Sequence, residues 1–290
     1  MGTLKVLPSL DSEERGHELK RILDIPGWRA AELGRTALEA ARNGFYLTPE
    51  GRKVAWGNLV QAAIAAKISI PPEAELPMAP HPGFIQTEVQ VANETTLEAG
   101  LRLSRQGLVP LALNFANGIH PGGGFLSGAR AQEESLCQSS ALYVTLEGDP
   151  MYAAHQQRPL PDATDWAILS PRVPVFRSDD GRELDEPWLL DFITCAAPYA
   201  PALGEQVAGA LLQRRIHRVL AIARAYGYRD LVLGAWGCGA FGNDPWRTAR
   251  DFRSALEQEF AGAFRSVVFA IADWSKERRF LRPFASVWSG

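Results

Sequence analysis

Two adjacent carboxylates, Glu133 and Glu134, follow a run of three glycines, Gly122, Gly123 and Gly124, after a gap of seven residues and Gln132. A backbone stripped of Cβ atoms can turn its N–H groups inward on an anion such as a phosphate. Neighbouring side chains leave the chain in different directions, so one carboxylate can face a ligand while the other braces the site. A carboxyl beside a dry pocket can hold its proton at higher pH and act as a general acid. The combination points to cleavage of a bond in a compound that carries phosphates. Each feature also has a plainer reading. A glycine run can be a long turn, and acidic residues in the first turn of a helix are favoured by the helix dipole alone. Asn114, Asn117 and His120, just upstream, add polar groups. His120 can carry a proton, or equally hydrogen-bond locally in a turn.

A second glycine-rich loop spans 234–243, with four glycines in ten residues. It leads into a helix with Asp244 or Asn243 as the cap and Pro245 in the first turn. Gly237, Cys238, Gly239, Ala240, Phe241, Gly242 and Asn243 form a second candidate anion clamp. Phe241 stands among small residues, so its ring can cover a sugar face or pack into a tight turn. Cys238 invites a nucleophile reading by position only. No histidine is near it in sequence, and residue type favours a buried structural thiol. His17, His81, His155 and His217 show no partner pattern, and Trp236 and Trp274 are read as packing residues.

Composition restricts the function classes. The 290 residues are 46% apolar and 22% charged, as in an ordinary globular protein with a full core. A net charge of -3 and no Lys/Arg-rich run argue against bulk electrostatic capture of polyanions or direct DNA binding. Three scattered cysteines fit a reducing compartment, and no CxxC pair or HExxH motif suggests zinc. No metal or cofactor is expected. The first 19 residues lack an apolar segment, and no run approaches the roughly 20 residues of a membrane span. The chain is expected to be cytoplasmic.

The elements that must position these residues can be read from periodicity. Helices are predicted at 13–23, 29–43 and 58–67, followed by a connector at 71–82 with five prolines in twelve residues. Strand-like runs follow at 85–92, 108–114, 167–176, 191–197, 230–233 and 266–271. Helical patterns lie at 95–105, 132–146, 203–226 and 245–260. Pro171 and Pro174 mark an edge or bend in the 167–176 run. Strands interleaved with helices predict an α/β fold. Both glycine loops fall at strand-to-helix junctions, where such folds bind ligands.

Three strings carry a resemblance. They are Asn114-Phe115-Ala116-Asn117, the three glycines with Gln132-Glu133-Glu134 beyond, and the loop 234–245, which reads GAWGCGAFGNDP. They resemble the poly(ADP-ribose) glycohydrolases, in their compact bacterial form, over roughly residues 45–273. The resemblance implies a macrodomain-like mixed β-sheet sandwiched between helices in three α/β/α layers. Residues 1–80 would be an N-terminal helical extension packed on a catalytic core at 81–290. Glu134 would be catalytic, Glu133 would fix ribose hydroxyls and orient Glu134, and Gln132 would support both. Asn117 would touch the ribose beside the scissile bond. Gly122 to Gly124 and Gly237 to Phe241 would hold the diphosphate from opposite sides, with Phe241 against the terminal ribose. Adenine would lie near the end of the last core strand. Animal members stack an aromatic ring there, and this sequence offers Ile271.

The implied reaction is hydrolysis of ribose–ribose bonds through an oxocarbenium-like transition state. Glu134 would protonate the leaving hydroxyl and then take a proton from water. Cleavage from the chain end is expected, with poly(ADP-ribose) or ADP-ribosylated proteins as partners, ADP-ribose as product, and a place in the DNA damage response. Two other readings remain. One is an ADP-ribose reader, although readers lack the paired carboxylates. The other is a hydrolase of mono-ADP-ribosyl conjugates. A nicotinamide dehydrogenase is disfavoured because the first loop is not GxGxxG and no acidic residue is well placed after the second.

Overall fold

Side chains alternate across a strand, and the short apolar strands here carry apolar residues at both parities. A sheet built from them needs cover on both faces. The structure is a computed structural model and describes residues 2–78, 83–158 and 163–289. Its first part runs β1 (Thr3–Val6), α1 (Glu13–Leu23), α2 (Gly27–Asn43), β2 (Phe45–Leu47), β3 (Lys53–Ala55), α3 (Gly57–Ala66) and β4 (Ile68–Ile70). Next come β5 (Gln86–Ala92), α4 (Thr96–Arg105), β6 (Pro110–Ala116), α5 (Gln132–Ser139), α6 (Leu142–Leu146) and α7 (Pro150–Gln156). The chain then forms β7 (Ala167–Arg177), β8 (Glu183–Ala196), α8 (Ala200–Leu203) and α9 (Glu205–Ala225). It ends with β9 (Asp230–Leu233), α10 (Pro245–Glu257), β10 (Ser266–Ala270) and α11 (Leu281–Val287).

Eight strands make one sheet in the order β1-β5-β10-β9-β6-β8-β7-β4. Pairing is parallel from β1 through β8 and antiparallel at β8–β7 and β7–β4. Alternation in β10 shows the layering. Val267 and Phe269 enter a core with Ile216 and Leu220 of α9, Phe252 of α10 and Phe284 of α11. Val268 and Ala270 enter a second core with Ala37 of α2, Val60 of α3, Leu103 of α4 and Leu142 of α6. The expected mixed sheet between helical layers is therefore present. Among the described residues, no helix is long and apolar enough to cross a membrane.

Several elements differ from the sequence expectation. Residues 1–80 are not helical alone: β1 and β4 occupy opposite edges of the sheet. The 80/81 boundary, His81 and the end of the proline connector lie outside the described residues. The single helix expected at 132–146 is two helices. Ser140 turns extended (φ -144°) and bridges Val175, while its Oγ donates to the Leu136 carbonyl at 2.7 Å. The strand expected at 191–197 begins earlier, at Glu183, because it is one arm of a long hairpin with β7. In β7 Pro171 lies within a bulge between Ser170 and Val173 and Pro174 just after it, and β4 lies outside β7, so β7 is not the edge.

The N-terminal segment also shapes the site. Gly34 of α2 sits against the Phe125 carbonyl so closely that a Cβ there would come within 2.2 Å of its oxygen. The glycine loop therefore rests on α2.

Candidate active site

The carboxyl ends of parallel strands and the N-termini of helices converge at one end of the sheet. There β6 delivers 114–117, the loop 117–131 folds back, and α5 begins at Gln132. The return is fixed by Gln132. Its Oε1 accepts the Phe115 N–H at 2.9 Å, while its Nε2 donates to the Leu113 carbonyl at 2.8 Å and to Thr96 Oγ1 at 3.0 Å. The side chain thus replaces a sheet neighbour for the end of β6 and ties α5 to α4.

Glu133 points into the protein and is buried. Its Oε2 accepts the Asn117 N–H at 2.7 Å and its Oε1 accepts Asn114 Nδ2 at 3.3 Å. Burial pushes its carboxyl up to about 8, with the Glu134 charge adding to the rise and the Asn117 N–H opposing it. Glu134 is buried as well, and each of its oxygens is held by one backbone group. Oε1 accepts the Gly124 N–H at 2.9 Å, and Oε2 accepts the Ala131 N–H at 3.1 Å. The paired carboxylates therefore differ in surroundings, as expected of adjacent side chains.

The first glycine loop serves these carboxylates. Gly124 donates to Glu134, Gly122 faces Glu133, and the Gly123 N–H bonds the His120 carbonyl at 3.0 Å. Gly122 and Gly123 have positive φ, 69° and 57°. None of the three glycines lines the cavity. The expectation that they grip a diphosphate rested on free N–H groups, and in this fold the glutamates and the turn occupy those of Gly123 and Gly124. Asn117 Oδ1 caps the turn by accepting from the Ile119 and His120 N–H groups at 2.8 and 2.9 Å. Its Nδ2 has no acceptor among the described residues.

The second loop forms the facing wall. Asn243 is buried and holds the loop from beneath, donating to the Pro198 and Gly237 carbonyls at 2.8 and 3.1 Å. The Gly239 backbone stands open, with nothing within 4 Å of a built Cβ. Phe241 is half-buried and meets Tyr199 edge-on, with ring centroids 5.8 Å apart. The Cys238 thiol turns inward, 3.6 Å from both the Trp236 carbonyl and Thr248 Oγ1, and burial pushes it up to about 12. It is a packed thiol.

The two loops enclose a cavity of about 460 Å³ that Asn117, Gln132, Glu133, Glu134, Gly237, Gly239, Ala240, Phe241 and Ile271 all line. Cys238, Gly242 and Asn243 do not line it. Sequence reasoning missed other wall residues. Trp274, read as packing, is on the wall and 38% exposed, and Phe280 lies with it near Ile271. The Asp273 carboxylate fixes that segment by accepting the Ser275 and Phe280 N–H groups at 2.9 and 2.8 Å. Leu23, Arg130 and Asp179 line the cavity as well. Thr95 Oγ1 donates to Asp179 at 2.7 Å, and burial raises that carboxyl to about 7. Ser178-Asp179-Asp180-Gly181 reads as a turn in sequence, and only the fold brings it to the cavity. Among the described residues, no three His, Cys, Asp or Glu side chains converge as metal ligands would.

Comparison with known proteins follows the same lines. A family model described as the catalytic domain of microbial-type PARG matches residues 34–178. The chain is similar to the crystal structure of poly(ADP-ribose) glycohydrolase from Thermomonospora curvata, with 40% identity and a TM-score of 0.82 over 89% of this chain and 99% of that one. It resembles that glycohydrolase bound to the inhibitor ADP-HPD at 40% identity and a TM-score of 0.81, over 89% and 98% of the two chains. It also resembles poly(ADP-ribose) glycohydrolase from Deinococcus radiodurans in complex with ADP-ribose. That match has 37% identity and a TM-score of 0.72, over 81% and 98% of the two chains. No match is found among the curated proteins.

Proposed function

This chain belongs to the microbial-type poly(ADP-ribose) glycohydrolases, and from that premise we propose how its residues divide the work. It is a glycosidase that hydrolyses the ribose–ribose bonds of poly(ADP-ribose) and releases ADP-ribose. Glu134 is the general acid and base. The observation that carries this role is its pair of backbone bonds from Gly124 and Ala131, which fix the carboxyl at the cavity while leaving each oxygen a free lone pair. In its protonated form a carboxyl so held gives its proton to the leaving adenosine oxygen as the ribose–oxygen bond breaks, and is left a carboxylate. The oxocarbenium-like ribose is then attacked by water, whose proton returns to the same carboxylate.

Glu133 keeps a proton at neutral pH, so the buried pair does not carry two full charges. It positions Asn117, whose free Nδ2 is available to the ribose. The second loop, with its open Gly239 backbone, holds the diphosphate, and Phe241 covers the terminal ribose. Adenine lies at Ile271, between Trp274 and Phe280. Rigid binding of the remote diphosphate and adenine lowers the entropy cost of placing the reacting bond. Leu23 of the N-terminal segment and Trp274 and Phe280 near the C-terminus help to line the cavity, which favours attack on the terminal unit. Free polymer and ADP-ribosylated proteins are both substrates in this reading.

The decisive experiment incubates wild-type and Glu134→Ala protein with labelled poly(ADP-ribose). The expected result is ADP-ribose release by the wild type, loss of at least ~100-fold in the variant, and retained ADP-ribose binding by both. Binding without release by either protein overturns the catalytic assignment.

A further inference from the structure

At the rim of the cavity, beside Glu134 and Ala131, the Arg130 guanidinium has donors to spare. Its protein bonds, to Asp24 Oδ1 at 3.2 Å and to the Ile25 carbonyl, both start from Nη1. A guanidinium carries donors on all three nitrogens, so those on Nε and Nη2 remain without an acceptor among the described residues. The Arg130 side chain is 44% exposed. The turn it holds runs directly into Gly27 and Trp28 at the start of α2. Gly27 and Gly128 are in backbone contact, close enough that a Cβ on Gly128 would stand 2.4 Å from the Gly27 carbonyl oxygen. These contacts keep Trp28 next to the loop that leads to Glu134. Trp28 is 71% exposed. A large indole left in water beside the loop that carries Arg130 is a ready stacking platform, because any base offers it a π-face.

The geometry points to a subsite for the second ADP-ribose unit of the polymer, the unit that departs when the bond breaks. Arg130 takes its diphosphate and Trp28 stacks on its adenine. The inference rests on the glycohydrolase reading, in which the terminal unit fills the cavity and the leaving oxygen lies against Glu134. The leaving nucleotide must then extend outward from Glu134. The surface met there is Ala131, Arg130 and the turn that Arg130 holds. A diphosphate is complementary to an arginine fork with open donors, and the adenine attached to the same nucleotide falls within reach of the adjoining indole. The site gives the enzyme affinity for polymer over a single ADP-ribose unit without touching the unit being released.

The test is steady-state kinetics of the full chain on two substrates. One is poly(ADP-ribose). The other is an ADP-ribose glycoside with nitrophenol as leaving group, which fills the cavity and puts no nucleotide on the subsite. Trp28→Ala is expected to raise KM for polymer roughly ten-fold. Its rate on the nitrophenyl substrate and its ADP-ribose dissociation constant stay unchanged. Trp28→Phe restores most of the polymer KM. Arg130→Gln raises the polymer KM and flattens its salt dependence. An equal fall on both substrates in Trp28→Ala, or an unchanged polymer KM, overturns the subsite alone. So does a defect confined to ADP-ribosylated protein, which would mean that the patch receives protein. A wild-type chain inactive on both substrates overturns the glycohydrolase reading and the subsite with it.

Discussion

Gly123 is bare where Glu134 needs room: a Cβ at position 123 would stand 2.3 Å from Glu134 Oε1 and 3.2 Å from Glu133 Oε2. The backbone there also has φ 57°, a conformation that costs an L-residue about 1–2 kcal/mol. Gly123→Ala is therefore expected to lose stability by about that amount and to lose activity by far more. The added methyl group must displace the catalytic carboxylate, and small misplacements of a reacting group cost about 100-fold. Thermal unfolding and turnover of labelled polymer, measured on the same preparation, check both halves. Full activity in Gly123→Ala would remove Glu134 from the reacting bond.

Glu133 makes the protein sensitive to alkaline pH. Its carboxyl is raised from 4.5 to about 8 in the fold by burial, so the folded state holds a proton there that the unfolded state releases. Stability tied to that proton is fully present below pH 4.5 and is lost as pH rises through about 8. Glu133→Gln keeps the shape and removes the ionisation. Its melting temperature should fall less than that of the wild type between pH 6 and about 9. Parallel curves for the two proteins across that range would count against a buried protonated Glu133.

The sequence exposed the two loops and most of the core because both depend on local signals. Glycines, a helix cap at Asp244 and apolar runs such as Asp230–Leu233 are readable without knowing what packs where. Edge strands were not readable. Strand β4 is three residues long with a single buried side chain, and β1 alternates in Thr3–Val6 but over only four residues, too few to mark a strand. The break at Ser140 depends on a bridge to Val175, thirty-five residues away, which no helical pattern in 132–146 can reveal. The use of the first glycine loop was hidden for a related reason. Spacing placed Gly124 near Glu134, but only the fold shows its N–H spent on that carboxylate. Asp179 and Phe280 reach the cavity through long-range packing and carry no motif at all.

Chain-end action is the expectation of this reading, in which the terminal unit fills the cavity that Leu23, Trp274 and Phe280 help to line. Early time points on long polymer should show free ADP-ribose and slightly shortened chains. Mid-length oligomers appearing before monomer would mean that polymer can thread through the cleft.

Arg177 ties the N-terminal segment to the catalytic helix. Its guanidinium is buried, donates to the Leu33 carbonyl of α2 at 3.0 Å and to the Gln138 carbonyl of α5 at 2.9 Å, and pairs with Glu183 at 2.8 Å. It also donates to Thr36 Oγ1 at 3.1 Å. Helix α5 carries Glu133 and Glu134 at its other end, so the orientation of the carboxylates depends on this anchor. Arg177→Met fills the volume but leaves two carbonyls and the Glu183 carboxylate without their partner, at a cost of about 3 kcal/mol. For a chain of this length that is a drop of roughly 5–10 °C in melting temperature. Arg177→Lys keeps the charge but cannot reach all four acceptors, and should fall between the two. Because the anchor acts on orientation and not on ligand contacts, kcat should fall in both variants while the ADP-ribose dissociation constant holds. A variant that loses ADP-ribose affinity in step with kcat would show that Arg177 supports the whole cleft, not the pose of α5.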